Sequence, residues 1–142
     1  MSDAESPQPI AIAVVEHNGS YLIRQRPTGG PLAGFWEFPG GKVHADETPE
    51  AAALRECAEE TGLSVRAIEL LAEVDHTYDH GALRLAFYHC VPVDPACPPL
   101  GNFGWVEAGA LVSLQFPPAN ATVLEAIAQR HVAKPRRLIP DA

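Results

Sequence analysis

At 142 residues with a net charge of −8, the chain is long enough for one domain with a real core. It is too acidic to bind duplex nucleic acid or an anionic membrane surface nonspecifically. No apolar run is long enough to span a bilayer, and no obligate protein partner is evident. The polar, acidic segment 1–9 has neither the basic nor the apolar region of a signal peptide, and is expected to be disordered. Ile10 to Val15 reads as a buried strand, His17-Asn18-Gly19-Ser20 as a hairpin turn and Tyr21 to Gln25 as the returning strand. Pro27 to Gly34 is a loop rich in Gly and Pro.

A helix follows. Thr48 can cap it, Pro49 suits its first position and Gly62 is placed to end it. At about 100° per residue, Ala51, Leu54, Cys57, Ala58 and Thr61 share a face that can enter a core. Arg55, Glu56, Glu59 and Glu60 share the other, with Ala52 in its middle leaving room for a ligand. Val65 to Tyr78 and Leu83 to Val91 are two further strands around a turn at Asp79-His80-Gly81. Pro92 to Gly101 is a proline-rich loop, Phe103 to Val106 a short strand, and Ala119 to Arg130 a helix with Leu124, Ile127 and Ala128 on one face. The six histidines, among them His76, His80 and His89, lack zinc-site spacing and read as surface or packing residues. Cys57, Cys90 and Cys97 are odd in number and widely spaced, which points to reduced thiols and a cytoplasmic setting. The layout is one domain over 10–132 with a loose tail over 133–142. Interleaved strands and helices make the class α/β or α+β.

Three carboxylates on the last turns of a helix repel one another and oppose the helix dipole, which favours cations there. A solvated acidic face would show the same charges, but it would not explain that cost. A hard divalent cation would, and magnesium or manganese prefers carboxylate oxygens.

Spacing adds to this reading. Gly41, five residues, Glu47, seven residues, then Arg55-Glu56-Cys57-Ala58-Glu59-Glu60-Thr61-Gly62-Leu63 resembles the Nudix box, with Cys57 as its first apolar position. Leu22-Ile23-Arg24-Gln25-Arg26-Pro27 and Gly34-Phe35-Trp36-Glu37-Phe38-Pro39-Gly40-Gly41-Lys42 are similar to the approach to the box in its MutT-like branch, and Phe116-Pro117-Pro118-Ala119-Asn120 to that branch's base-recognition segment. The resemblance implies a mixed β-sheet sandwiched between helices. It implies a nucleoside triphosphate pyrophosphohydrolase that uses Mg2+ (Mn2+ as substitute) and releases a nucleoside monophosphate and pyrophosphate, most plausibly from 8-oxo-dGTP. The resemblance makes Glu56, Glu59, Glu60 and the Gly40 carbonyl the metal ligands, and pairs Glu47 with Arg55 to orient them. Arg24, Arg26 and Lys42 are candidate phosphate contacts, Phe38 a wall of the base pocket and Asn120 the base reader. Asn120 could instead cap the last helix.

One departure stands out. MutT-like enzymes usually carry another glutamate in the loop before the Trp-Val that matches Trp105-Val106. Here that loop, Pro98 to Gly104, has no acid, and Pro99 sits near the expected place. The general base must then come from the box, from Asp94 or Glu107, or from metal activation of water alone. Two other functions fit the same motifs: a CTP- or dCTP-type pyrophosphohydrolase, and a non-catalytic domain that recognises 8-oxoguanine.

Overall fold

The computed structural model describes residues 6–78 and 81–132. Its strands are β1 (Gln8–His17), β2 (Ser20–Gln25), β3 (Trp36–Glu37), β4 (Gly40–Lys42), β5 (Val65–Tyr78), β6 (Gly81–Pro92) and β7 (Gly104–Glu107). Its helices are α1 (Pro49–Thr61) and α2 (Ala121–Val132). The strands form one mixed sheet in the order β3-β2-β1-β6-β5, with β4 joining β1 and β7 joining β2. β1 and β6 run parallel from Gln8↔Leu83 to Val15↔Cys90, and the other pairs are antiparallel. This is the expected class, a mixed sheet with helices.

β1 explains the layering. Side chains alternate across a strand, so an apolar run buried on both faces feeds two cores. Ala11, Ala13 and Val15 pack with Ala52, Ala53 and Cys57 of α1. Ile12 and Val14 pack with Phe87, Val123 and Ile127 on the side of α2. The sheet is thus sandwiched between α1 and α2.

Several expected boundaries move. Gln8 and Pro9, placed in the disordered leader, belong to β1, because β6 offers them partners at Leu83 and Arg84. The turn residues Asp79 and His80 and the tail over 133–142 lie outside the described residues, while Gly81 opens β6. Ala119 and Asn120 sit in a 3-10 turn (Pro118–Asn120) ahead of α2, and a second such turn spans Ala108–Ser113. On α1 the buried face is rotated from the expected one: Ala52 and Ala53 are buried while Ala51 and Ala58 are exposed. The helix lies on both β1 and β4, so the side of Ala52 that was expected to face a ligand faces the sheet. Among the described residues no helix is long and apolar enough to cross a membrane.

His89 is a packing histidine. His89 is buried, and its Nε2 lies 3.0 Å from Glu16 Oε1, which also accepts from Arg130 Nη2 at 3.2 Å. A carboxylate only accepts, so His89 Nε2 carries the proton. Glu16 thereby fastens the end of α2 to the sheet. Nearby, the Tyr21 hydroxyl meets His131 Nε2 at 2.9 Å. Replacing Glu16 with alanine should lower the unfolding free energy by roughly 1–3 kcal/mol, since His89 and Arg130 lose their shared acceptor. Urea denaturation measures this, and an unchanged midpoint would mean that the network does not hold α2.

Candidate active site

The site is built on a strand that has no side chains where it meets a helix. β4 pairs with β1 through Gly40↔Ile12 and Gly41↔Ala11. A Cβ on Gly40 would lie 2.6 Å from the Ala11 carbonyl oxygen and 2.9 Å from Ile12 Cα. A Cβ on Gly41 would overlap the Glu56 carboxylate. Glycine at both positions lets α1 lie against the strand with its acids touching backbone. α1 itself starts and stops as its caps dictate. Thr48 Oγ1 accepts from Ala51 N–H at 3.1 Å, and Gly62, at φ 78°, donates to the Ala58 carbonyl at 3.0 Å.

Three acids follow from this seating. Glu56 covers Gly41. Glu60 Oε1 accepts from the Gly40 N–H at 3.2 Å. Burial, with the nearby Glu56 and Glu37 carboxylates adding to it, pushes the Glu60 carboxyl up to about 7, against the opposing pull of the Gly40 N–H and Arg24. Glu59 is the most open, at 58% side-chain exposure. Arg55 lies across the group. It grips Glu47 with two bonds, Nη2 to Oε1 at 2.6 Å and Nε to Oε2 at 3.0 Å, and its Nη1 reaches Glu56 at 3.2 Å and Glu59 at 3.3 Å. Arg55 Nη2 also donates to the Lys42 carbonyl at 3.0 Å. Held by Arg55 and the His44 N–H, the Glu47 carboxyl falls to about 2.

Among the described residues no three His, Cys, Asp or Glu side chains converge closely enough to enclose a cation. The acids are side by side on one helix, and Arg55 takes up part of the charge of Glu56 and Glu59. The donor set nevertheless suits a hard divalent cation. It consists of carboxylate oxygens, one of them held against ionisation by burial and by like charge, beside a strand that no side chain covers.

A cleft of about 190 Å³ is lined by Gly40, Gly41 and Asn120. Arg26, Leu32, Glu37, Phe38, Tyr78 and Pro117 also line it. Phe38 is buried and stacks on Phe116, with ring centroids 5.3 Å apart and 25° between planes. Asn120 Nδ2 donates to the Pro117 carbonyl at 3.3 Å. Among the described residues its amide oxygen makes no capping bond to the first turn of α2. A wider groove of about 320 Å³ between the Ala108–Ser113 turn and α2 is mostly apolar and brings only Glu125 as a charged group.

The structure therefore brings together Gly40, Phe38, Arg26 and Asn120 in one cleft, with Glu56 over Gly41 and Glu60 on Gly40. It does not bring Arg24 or Lys42 into that cleft. Arg24 donates to Glu37 Oε2 at 2.7 Å and to the Gly101 carbonyl at 3.2 Å, and stacks over Phe103. Lys42 borders a separate hollow with Gln8 and Leu83. Glu107 pairs with Ser20, about 13 Å along β2 from Arg24 at the strand rise per residue, and is no candidate base. Asp94 closes its own turn by accepting from Ala96 N–H at 3.0 Å. Sequence reasoning missed Glu37 and Tyr78. Glu37 had a signal, since it precedes Phe38 in the same conspicuous stretch. Tyr78 had none, because only the length of β5 carries it to the cleft.

A family model described as a NUDIX domain matches residues 10–126. The chain is similar to an 8-oxo-dGTP diphosphatase of Haemophilus influenzae, 37% identical over 120 residues that cover 81% of this chain and 87% of the relative. It is also similar to a CTP pyrophosphohydrolase of Escherichia coli, 30% identical over 128 residues that cover 89% and 95% of the two chains. Among solved structures, the solution structure of the E. coli ORF135 protein superposes with a TM-score of 0.78 at 27% identity, covering 95% of this chain and 98% of that one.

One consequence of the site is testable without substrate. Glu60 binds its proton more tightly folded than unfolded, with the carboxyl at about 7 against an ordinary 4.5. That stabilisation is fully present below the unfolded value and is lost as pH rises through 7. In EDTA, Glu60→Gln should melt higher than wild type at pH 8, with a smaller difference at pH 5. Thermal denaturation at the two pH values checks this, and equal differences would contradict the burial of an acid at Glu60.

Proposed function

The chain belongs to the Nudix family and is a hydrolase, and on that footing we propose that it hydrolyses 8-oxo-dGTP to the monophosphate and pyrophosphate with magnesium, manganese being able to substitute. The observation that carries this reading is the cleft that joins Gly40 and Gly41, beside the carboxylate row, to Asn120. A cleft lined by both leaves room for a base beside Asn120 and for phosphates beside the glycines, which supports the reading.

Glu56, Glu59, Glu60 and the Gly40 carbonyl would hold the metal, which when bound neutralises phosphate charge and activates water. The chain's own residues do the rest. Glu47 locks Arg55, and Arg55 fixes the carboxylates of Glu56 and Glu59 in place. Both are positioning residues. Glu60 Oε1 is taken up by the Gly40 N–H, which leaves Oε2 to receive a proton from the attacking water. The box thus supplies the base without an acid in the loop over 98–104. The water oxygen bonds to the β-phosphorus, the bond from that phosphorus to the α–β bridging oxygen breaks, and the bridging oxygen leaves on the monophosphate.

Asn120 supports the oxidised purine. Guanine presents two acceptors, O6 and N7, whereas 8-oxoguanine carries a proton on N7. The amide oxygen of Asn120 can accept from N7–H while its second amide hydrogen donates to O6. Ordinary guanine would set acceptor against acceptor, which costs about 1–3 kcal/mol, or roughly ten- to hundredfold. Phe38, stacked on Phe116, offers a flat wall for the base. The likeness to a CTP pyrophosphohydrolase keeps pyrimidine triphosphates in the test. A domain that only recognised the base would have no use for the acid row. The free thiols Cys57, Cys90 and Cys97 suit a reducing, cytoplasmic setting.

A nucleotide panel with magnesium, scored for pyrophosphate release, should show 8-oxo-dGTP preferred over dGTP, CTP and dCTP. Asn120→Ala should lower the ratio of kcat/KM for 8-oxo-dGTP over dGTP at least about tenfold. A helix cap would behave otherwise, losing roughly 0.5–2 kcal/mol of stability with the ratio unchanged. An unchanged ratio would remove the oxidised-purine reading and leave the hydrolase intact.

A further inference from the structure

Glu37 is the one acid in the cleft that neither the helix nor the metal reading uses. Its carboxylate is fully engaged, and by two different cations. Oε2 accepts from Arg24 Nε at 2.7 Å, and Oε1 from Arg26 Nη1 at 2.7 Å. Arg24 faces it across the β2–β3 pair, in the register Arg24↔Glu37. The two arginines then diverge. Arg24 reaches the Gly101 carbonyl at 3.2 Å and lies 4.6 Å above the Phe103 ring, both in the loop that closes the end of α1. Arg26 is fixed by the Pro31 carbonyl at 3.1 Å and lines the cleft. Among the described residues its Nη2 has no partner.

We propose that Glu37 is a positioning residue, whose two oxygens hold Arg26 at the cleft for the anionic end of the substrate and tie Arg24 to the loop over 98–104. This rests on the triphosphate reading of the site. The charges fit it. Two arginines and one glutamate leave a net charge of +1 here, whereas Glu47, Arg55, Glu56, Glu59 and Glu60 sum to −3. The Glu37 group, with Arg26 lining the cleft and Arg24 outside it, is thus less anionic than the acid row by a wide margin and is the side of the site that a polyanion meets more readily. Both Glu37 oxygens face guanidinium groups, which is a binding arrangement for the arginines.

The test turns on a sign. Glu37→Gln keeps the shape but turns one oxygen into an NH2 group that faces a guanidinium donor, so one arginine is released. If charge alone mattered, removing an anion would tighten polyphosphate binding. If positioning matters, binding weakens. KM for the triphosphate should rise roughly tenfold, with a smaller fall in kcat, and calorimetric affinity for inorganic tripolyphosphate with magnesium should fall by a similar factor. Arg24→Lys keeps the charge but cannot span Glu37 and Gly101 together. It should shift KM in the same direction, and it carries the test if Glu37→Gln does not fold. An unchanged or lower KM in the folded variants overturns the proposal, as does a parallel loss of kcat and melting temperature with KM unmoved. If wild type cleaves no nucleotide, the function reading fails on its own, and tripolyphosphate affinity still decides the role of Glu37: equal binding by wild type and variant overturns it.

Discussion

The contact between Gly40-Gly41 and the acidic face of α1 is the constraint on which the rest of the site depends. A strand normally keeps a helix at a distance with its side chains. Here β4 has none at the point of contact, so the Glu56 carboxylate occupies the space that a Gly41 Cβ would need, and Glu60 reaches the Gly40 N–H. Gly40 is fixed from the other side by the Ala11 carbonyl and Ile12. The same two glycines line the cleft, so one close approach of backbone to helix sets both the acids and part of the cleft wall.

That approach has an electrostatic cost. α1 ends with Glu59 and Glu60 and has no basic residue in its last turn, where the dipole would favour one. The protein offsets part of the cost with Arg55, which is itself anchored by two bonds to Glu47. The remainder appears at Glu60, whose carboxyl burial pushes up to about 7. A bound cation would remove that penalty and, by the same contact, gain affinity. Arg26 is held apart from that row, on Glu37.

Much of this was legible along the chain. Thr48, Pro49 and Gly62 mark α1 because caps act over three or four residues, and the box acids are fixed by their spacing on that helix. The unbroken apolar run from Ile10 to Val15 likewise announced a buried strand. What the sequence hid lies in pairs far apart in the chain. Glu16 meets His89 and Arg130 only because β1 runs beside β6 and α2 crosses its end. Glu37 meets Arg24 through a strand of two residues, too short to show a period. Ala52 looked open because a helical wheel gives a face but not what covers it, and the sheet around β1 covers it.

If Glu56 acts as proposed, the bare backbone at Gly41 is what holds it in place. Gly41→Ala tests this directly, because the added methyl meets the far end of a side chain that can move aside, so the fold should persist while Glu56 is displaced. The measurement is magnesium-dependent pyrophosphate release by the variant relative to wild type, at matched melting temperature. The expected loss is at least about tenfold, equivalent to about 1.4 kcal/mol of transition-state stabilisation. Wild-type turnover in a folded Gly41→Ala protein would contradict it.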